Sequence, residues 1–263
     1  MQNIINLYKK ISNKSYSTLA GSIAFFLIIN GGSVFFLLIN ICNSLGYDIF
    51  NYLEFEYLPN QFNQILNIVY TESSKSNFSF IYIATTVISG STLFYHLIKT
   101  TEILYETKIT EINLLNRAFS IFLVIVFLVI IVLAFIVFLF LNFITKGTML
   151  NTILTYLTMF FIPFLIIVFI QKVTTPIYNK IIDIIPGVLF STIFWFLSTI
   201  GFSIYLSIFS DYKNSFGTIS FFIVFMIWIY LLSQGLIIGF IINYNRSLKK
   251  EISHKILLGT QKG

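Results

Sequence analysis

Six long stretches without a charged residue divide the chain: Leu19–Ile41, Phe78–Ile98, Ala118–Phe143, Leu150–Ile170, Ile184–Phe209 and Gly217–Ile242. Each is at least as long as the roughly 20 apolar residues that cross the hydrocarbon core of a bilayer as a helix, and the longer ones can tilt. A charge at the centre of such a helix costs about 2.5–3.5 kcal/mol on insertion scales, so six uncharged runs in one chain mark repeated insertion. Lipid offers the backbone no hydrogen-bonding partner, so the runs are predicted to be helices despite their many β-branched residues. The first run follows a polar segment, 1–18, and is too long for the core of a signal peptide; it reads as a retained helix. The expected fold is all-α: a polytopic membrane protein with six transmembrane helices over 19–243 and a basic tail over 244–263.

The connecting segments set the orientation. Thirteen of the 16 Lys and Arg fall on one side: Lys9, Lys10 and Lys14, then Lys99, Lys108 and Arg117, then Lys172 and Lys180, then Arg246, Lys249, Lys250, Lys255 and Lys262. Only Lys75, Lys146 and Lys213 fall on the other. Positively charged loops stay in the cytoplasm, which places both the N- and C-termini there. The one long connection, Asn43–Asn77, lies on the outer side. Within it Phe62, Ile65, Leu66 and Val69 recur at helical spacing after Pro59, which predicts a short amphipathic helix at the outer interface.

Composition excludes a soluble domain. Charged residues make up 10% and hydrophobic residues 57%, whereas a soluble fold carries roughly 25% charged residues. The net charge of +6 raises the question of nucleic acid, but aromatics do not interleave the basic residues of the tail. The one-sided distribution instead points to membrane lipids as partners, with anionic headgroups at the cytoplasmic face, and to no nucleic acid. The single cysteine, Cys42, cannot form an intramolecular disulfide, and nothing in the Cys and His spacing resembles a zinc site. The oligomeric state is not encoded in any of these features.

Catalytic chemistry finds little to work with. His96 and His254 are the only histidines, no Gly-x-Ser-x-Gly elbow occurs, and no ligand set for a metal or other cofactor is visible. Glu102 and Glu106 can share a helix face, yet Lys99 precedes Glu102 by three residues and is the simpler partner. The expectation is a protein that is not an enzyme. The polar interruptions inside the membrane are more informative. Helix one carries Asn30-Gly31-Gly32-Ser33, helix two Ser89-Gly90-Ser91-Thr92 and His96, helix four Pro163, and helix six Gln234. Such groups either glue helices together or mark a substrate path. Asn30, Ser33, Ser91, His96 and Gln234 are the candidate lining residues of a path among helices one, two, five and six. The interrupted first helices of the two three-helix halves also resemble the inverted repeats of transporters, without residue-level repetition.

Three stretches resemble a known family. They are Leu19-Ala-Gly21-Ser-Ile-Ala-Phe-Phe26; Ser89 through Lys99, running on to Glu102 and Tyr105; and the set Pro186-Gly187, Trp195, Gly201, Tyr205, Tyr212, Phe216-Gly217, Trp228-Ile-Tyr230 and Gly239-Phe-Ile-Ile-Asn243. Together they span most of the chain and are similar to the YihY/BrkB family of bacterial inner-membrane proteins, also labelled ribonuclease BN-like. The resemblance implies six transmembrane helices and a multi-pass protein of the bacterial plasma membrane. It also implies, for some members, a link to virulence or to envelope lipid handling. Ser33 stands where the family often has Pro, and Phe216 where it usually has Tyr. Phe240, Ile241 and Ile242 stand where an acidic residue commonly precedes the Asn. The expected function is a membrane transporter or lipid-handling protein with an amphipathic substrate; the alternative is a non-transporting structural or assembly factor.

Overall fold

The computed structural model describes residues 16–44, 79–107, 114–145, 149–176, 180–209 and 215–260. Six α-helices account for nearly all of them, and no strand occurs among the described residues: α1 (Tyr16–Ser44), α2 (Ser79–Leu104), α3 (Leu114–Thr145), α4 (Met149–Thr174), α5 (Ile181–Phe209) and α6 (Ser215–Thr260). The predicted amphipathic helix of 43–77 and the motif residue Tyr212 lie outside the described residues.

Each helix overruns its charge-free stretch, because charged residues join a helix freely once it leaves the hydrocarbon. The overrun is largest in α6. Its 46 residues rise about 69 Å at roughly 1.5 Å each, more than twice the roughly 30 Å core of a bilayer. Arg246, Lys249, Lys250 and Lys255, expected in a separate tail, continue this single helix. Sequence spacing also puts Pro186 in the first turn of helix five, where a missing N–H costs little. Instead α5 begins at Ile181 and Pro186 sits inside the helix. There it removes an intrahelical hydrogen bond and its ring crowds the carbonyl of Ile182.

Consecutive helices pack as neighbours, and α1 closes the circuit against α6. The α5–α6 pair is antiparallel along its length: Gly187 meets Asn243, Trp195 Nε1 donates to the Leu232 carbonyl at 2.7 Å, and Tyr205 meets Ser220. Helix α2 touches α1, α3, α4 and α6. That central position explains its composition. By length and apolarity, four helical segments among the described residues suffice to cross a bilayer: Tyr16–Val34, Arg117–Ala134, Ile181–Leu206 and Ser220–Leu248. Helix α2 is not among them, and its Thr86, Ser91, Thr100 and Thr101 are buried against protein.

The molecule is apolar outside as well as inside. On α3 the exposed side chains include Phe122, Ile125, Val129, Leu133, Ile136 and Phe140, a helical stripe that water would not solvate without cost. The buried core gathers Ile23, Phe94, Leu97, Phe127, Ile167, Val188, Ile237 and Phe240 from all six helices. Lipid and core are equally oily, so burial of apolar area does not hold the helices together. Close backbone approach and interhelical hydrogen bonds do.

The closest approach is where α5 crosses α6. A Cβ added at Gly187 would collide with the Gly239 carbonyl oxygen, and one at Gly239 with Ser191 Oγ and the Gly187 carbonyl oxygen. Both positions need glycine because backbone meets backbone. At Gly21 an added Cβ meets nothing within 4 Å. Gly239→Leu is therefore expected to cost at least the roughly 1–3 kcal/mol of an overpacked core, seen as a lower thermal unfolding midpoint in detergent, whereas Gly21→Ala should leave that midpoint unchanged or raised.

Candidate functional site

The same crossing carries the densest buried polar network. The Gly187 amide donates to Asn243 Oδ1 at 2.8 Å. Asn243 Nδ2 donates to Gln171 Oε1 at 2.6 Å, and Gln171 Nε2 donates to Ser191 Oγ at 3.1 Å. The Ser191 hydroxyl in turn reaches the carbonyl oxygens of Gly187 (2.9 Å) and Gly235 (3.0 Å). One carboxamide from α4 and one from α6 thus close a ring of hydrogen bonds through the backbone of α5. Gln171, Ser191 and Asn243 are all but inaccessible. Asn243 donates to Gln171, and the remaining oxygen of Asn243 and NH2 of Gln171 are taken by Gly187 and Ser191, which hydrocarbon demands of any polar group it surrounds.

The five lining candidates do not converge on one cavity. Asn30 is buried between α1 and α2, where Ser89 Oγ donates to its Oδ1 at 3.3 Å; Gly90 beside it leaves no room for a Cβ against Val124. Ser33 and Ser91 turn their hydroxyls back onto the carbonyls of Ile29 (3.1 Å) and Ile88 (2.8 Å). His96 stacks on Phe26 of α1, with ring centroids 4.2 Å apart. Gln234 Nε2 donates to Tyr230 Oη at 2.7 Å, and that oxygen shares a second hydrogen bond, 2.8 Å long, with Ser17 of α1. Asn30, Ser91 and His96 thus lie on α1–α2 contacts or in the α2 backbone, and Gln234 on the α1–α6 contact.

A second polar group closes the end where α2 and α4 stop. Thr101 Oγ1 donates to the Thr174 carbonyl at 2.5 Å, tying α2 to α4. Glu102 is buried and pairs with Lys99 at 3.2 Å, the partner its spacing indicates. Helix α2 then ends in a Schellman turn: Thr107 N–H reaches the Glu102 carbonyl, Glu106 N–H the Ile103 carbonyl, and Glu106 takes the left-handed φ of 54°. The turn aims Tyr105 at Tyr244 of α6, with ring centroids 4.9 Å apart. Burial pushes the Tyr105 phenol up to about 12, so it stays neutral and acts as a packing group. Among the described residues, no three His, Cys, Asp or Glu side chains come together as a metal site.

The described surface also holds a groove of about 420 Å³, on the lipid-facing side of the α5–α6 pair. Its floor is a stack of Phe202 on Trp228, centroids 4.9 Å apart and rings 13° from parallel. Tyr205 marks one end, Leu197 and Leu231 the other, with Ser198 on the wall and Gly201 opening the middle. Three motif residues, Gly201, Tyr205 and Trp228, line it; none of the five lining candidates does.

Gln171 and Ser191 were not legible as site residues. Gln171 follows the fourth charge-free run and precedes Lys172, so it reads as a loop residue at the membrane boundary. Helix α4 continues to Thr174, however, and α6 covers it. In the network, Asn243→Leu leaves the Gly187 amide and Gln171 Oε1 without partners and is expected to cost about 1–3 kcal/mol. Gln171→Leu added to Asn243→Leu should cost less than the two single changes combined, because the network is already broken. Detergent-unfolding midpoints of the three variants check both points.

Comparison with known proteins adds to this geometry. A stretch of 60 residues is 42% identical to "Putative ribonuclease-like protein YfkH" of Bacillus subtilis (strain 168). It covers 23% of this chain and 22% of that protein, so it compares only about a fifth of each. No solved structure matches the chain. The family model described as virulence factor BrkB matches residues 7–257, a range that includes the α5–α6 crossing, the closed polar network and the lateral groove. The chain belongs to the virulence factor BrkB family of membrane proteins.

Proposed function

We propose that this protein is a multi-pass component of the bacterial plasma membrane that binds and handles an amphipathic lipid, with six spans and both termini in the cytoplasm. One observation carries the lipid reading: the groove between α5 and α6 opens on the face whose exposed residues are Ile193, Ile200, Ile204, Ile223 and Ile227. A ligand reaching it comes from the bilayer. The mostly apolar walls with a few hydroxyls suit a lipid better than an ion, which needs several fixed oxygen ligands. The one-sided distribution of Lys and Arg supports the orientation.

A second reading has its own support. Asn30, Gln171 and Asn243 are engaged in contacts between helices, and Gln234 supports the Tyr230 hydroxyl that meets Ser17 of α1. An assembly or structural factor would spend its polar residues in this way. In that case the lateral face would hold a partner protein.

Native mass spectrometry of protein extracted in mild detergent separates the two readings. Retained lipid, present as a discrete adduct and exchangeable with added lipid, is expected. A protein that emerges free of lipid yet bound to another protein would overturn the lipid reading in favour of assembly. For topology, single-cysteine variants Lys146→Cys and Lys250→Cys on a Cys42→Ala background should react with an impermeant maleimide from opposite sides of the membrane. Labelling from the same side would sink the six-span arrangement.

A further inference from the structure

We propose that the α5–α6 groove holds one acyl chain of a lipid, its carbonyl end beside Tyr205 and Ser220 and its methyl end against Leu197 and Leu231. This rests on the lipid-handling reading and names the occupant of its site.

Depth comes first. The groove runs from Tyr205, four residues from the end of α5, inward to Leu197. Those eight steps rise about 12 Å at roughly 1.5 Å per residue, close to half of a hydrocarbon core about 30 Å thick. On α6 it runs the opposite way, from Val224 to Leu231, as an antiparallel pair requires. The groove therefore occupies the depth of one leaflet, on the side of the α5–α6 turn.

The chemistry changes along it in the same direction. Near the turn, Tyr205 and Ser220 share a hydrogen bond 2.5 Å long; these hydroxyls sit where a lipid carries its ester oxygens. In the middle, Phe202 and Trp228 present a flat apolar floor. Leu197 and Ile227 on the rim are more than half exposed and continue the lipid-facing surface of both helices. At this depth the matter available to fill a groove open to hydrocarbon is hydrocarbon chain, since water there would lack partners.

Gly201 leaves room for such a chain. A glycine inside a helix costs about 0.5–1 kcal/mol relative to alanine. At Gly187, Gly235 and Gly239 a close neighbour accounts for it, because a Cβ would collide with the Gly239 carbonyl, Phe194 or Ser191 respectively. At Gly201, as at Gly21, Gly31 and Gly32, an added Cβ meets nothing within 4 Å; of these four, Gly201 is the one that lines the groove. No packing contact in the described structure asks for glycine there. The missing side chain is the middle of the groove.

The two tryptophans make the test direct. Trp195→Phe leaves Trp228, on the groove floor, as the sole tryptophan. The protein is reconstituted in phosphatidylcholine vesicles whose chains carry bromines near the methyl end or near the carbonyl end. Trp228 emission should be quenched more by the methyl-end label, and more than the emission of a reporter tryptophan placed at Phe122 on the lipid face of α3 in a background lacking Trp195 and Trp228. Gly201→Phe, with Gly201→Leu as the smaller replacement, should abolish that excess quenching while leaving the thermal unfolding midpoint unchanged. Unchanged quenching in a folded Gly201 variant, or stronger quenching by the carbonyl-end label, would overturn the assignment. If the wild type still carries lipid in native mass spectrometry, only this site falls; if it carries none, the lipid reading falls with it.

Discussion

A polar group inside this bundle is costly unless it finds a partner within the protein, because lipid supplies none. The crossing of α5 and α6 shows what that demands. Pro186 removes a backbone donor from within α5, and the next amide, Gly187, is taken by Asn243 of α6. Asn243 then needs an acceptor for its own N–H, which Gln171 of α4 supplies, and Gln171 needs one in turn, which is Ser191. Once one side chain is committed, the others follow. The network is worth keeping less for its net stabilisation, since interhelical hydrogen bonds average only about 0.6 kcal/mol, than for the cost of leaving any member orphaned, about 1–3 kcal/mol each.

Backbone proximity is the second half of the same constraint. Without a hydrophobic drive between helices, packing in lipid depends on how closely surfaces approach. Gly187 and Gly239 let two backbones touch, and only at that distance does the short Asn243 side chain span from α6 to the α5 amide. Farther along the pair the contact changes from backbone against backbone to Phe202 against Trp228. The groove lies beside these rings, where Gly201 leaves the space open. Tight crossing and open groove are thus two ends of one helix pair.

Much of this architecture was legible in the sequence, for a physical reason: exclusion of charge from hydrocarbon acts residue by residue and leaves an uninterrupted mark. The six runs correspond to six helices, whereas Pro186, Gly187, Gly239 and Asn243 are marked in the sequence by the family resemblance, among other motif positions, and not by charge exclusion. What was not legible depends on which faces meet. Nothing adjacent to Gln171 distinguishes it from a boundary residue, and only the approach of α6 makes it a core group. Asn30 and Gln234 looked like lining residues because polarity in a membrane helix has two explanations, and a linear sequence does not say which neighbour answers it. The extension of α6 to Thr260 escaped for the opposite reason: helix formation does not stop where the membrane does, and charge marks only the second boundary.

For the proposed lipid-handling role, these contacts bear on where a substrate would pass. A route through the centre of the bundle must part α4, α5 and α6 at the Gln171–Ser191–Asn243 network or α1 and α2 at Asn30, and each parting strands polar groups in a medium that cannot solvate them. Water following the substrate would offset that cost, but the core beside the network is filled by the apolar Ile167, Val188, Ile237 and Phe240. Motion along the lateral face breaks none of these bonds. Among the described residues the groove faces the bilayer and the hydrogen-bonded network lies inside, so for the proposed amphipathic ligand the low-cost path runs over the α5–α6 face. The rigid crossing at Gly187 and Gly239 is then what holds that face in place.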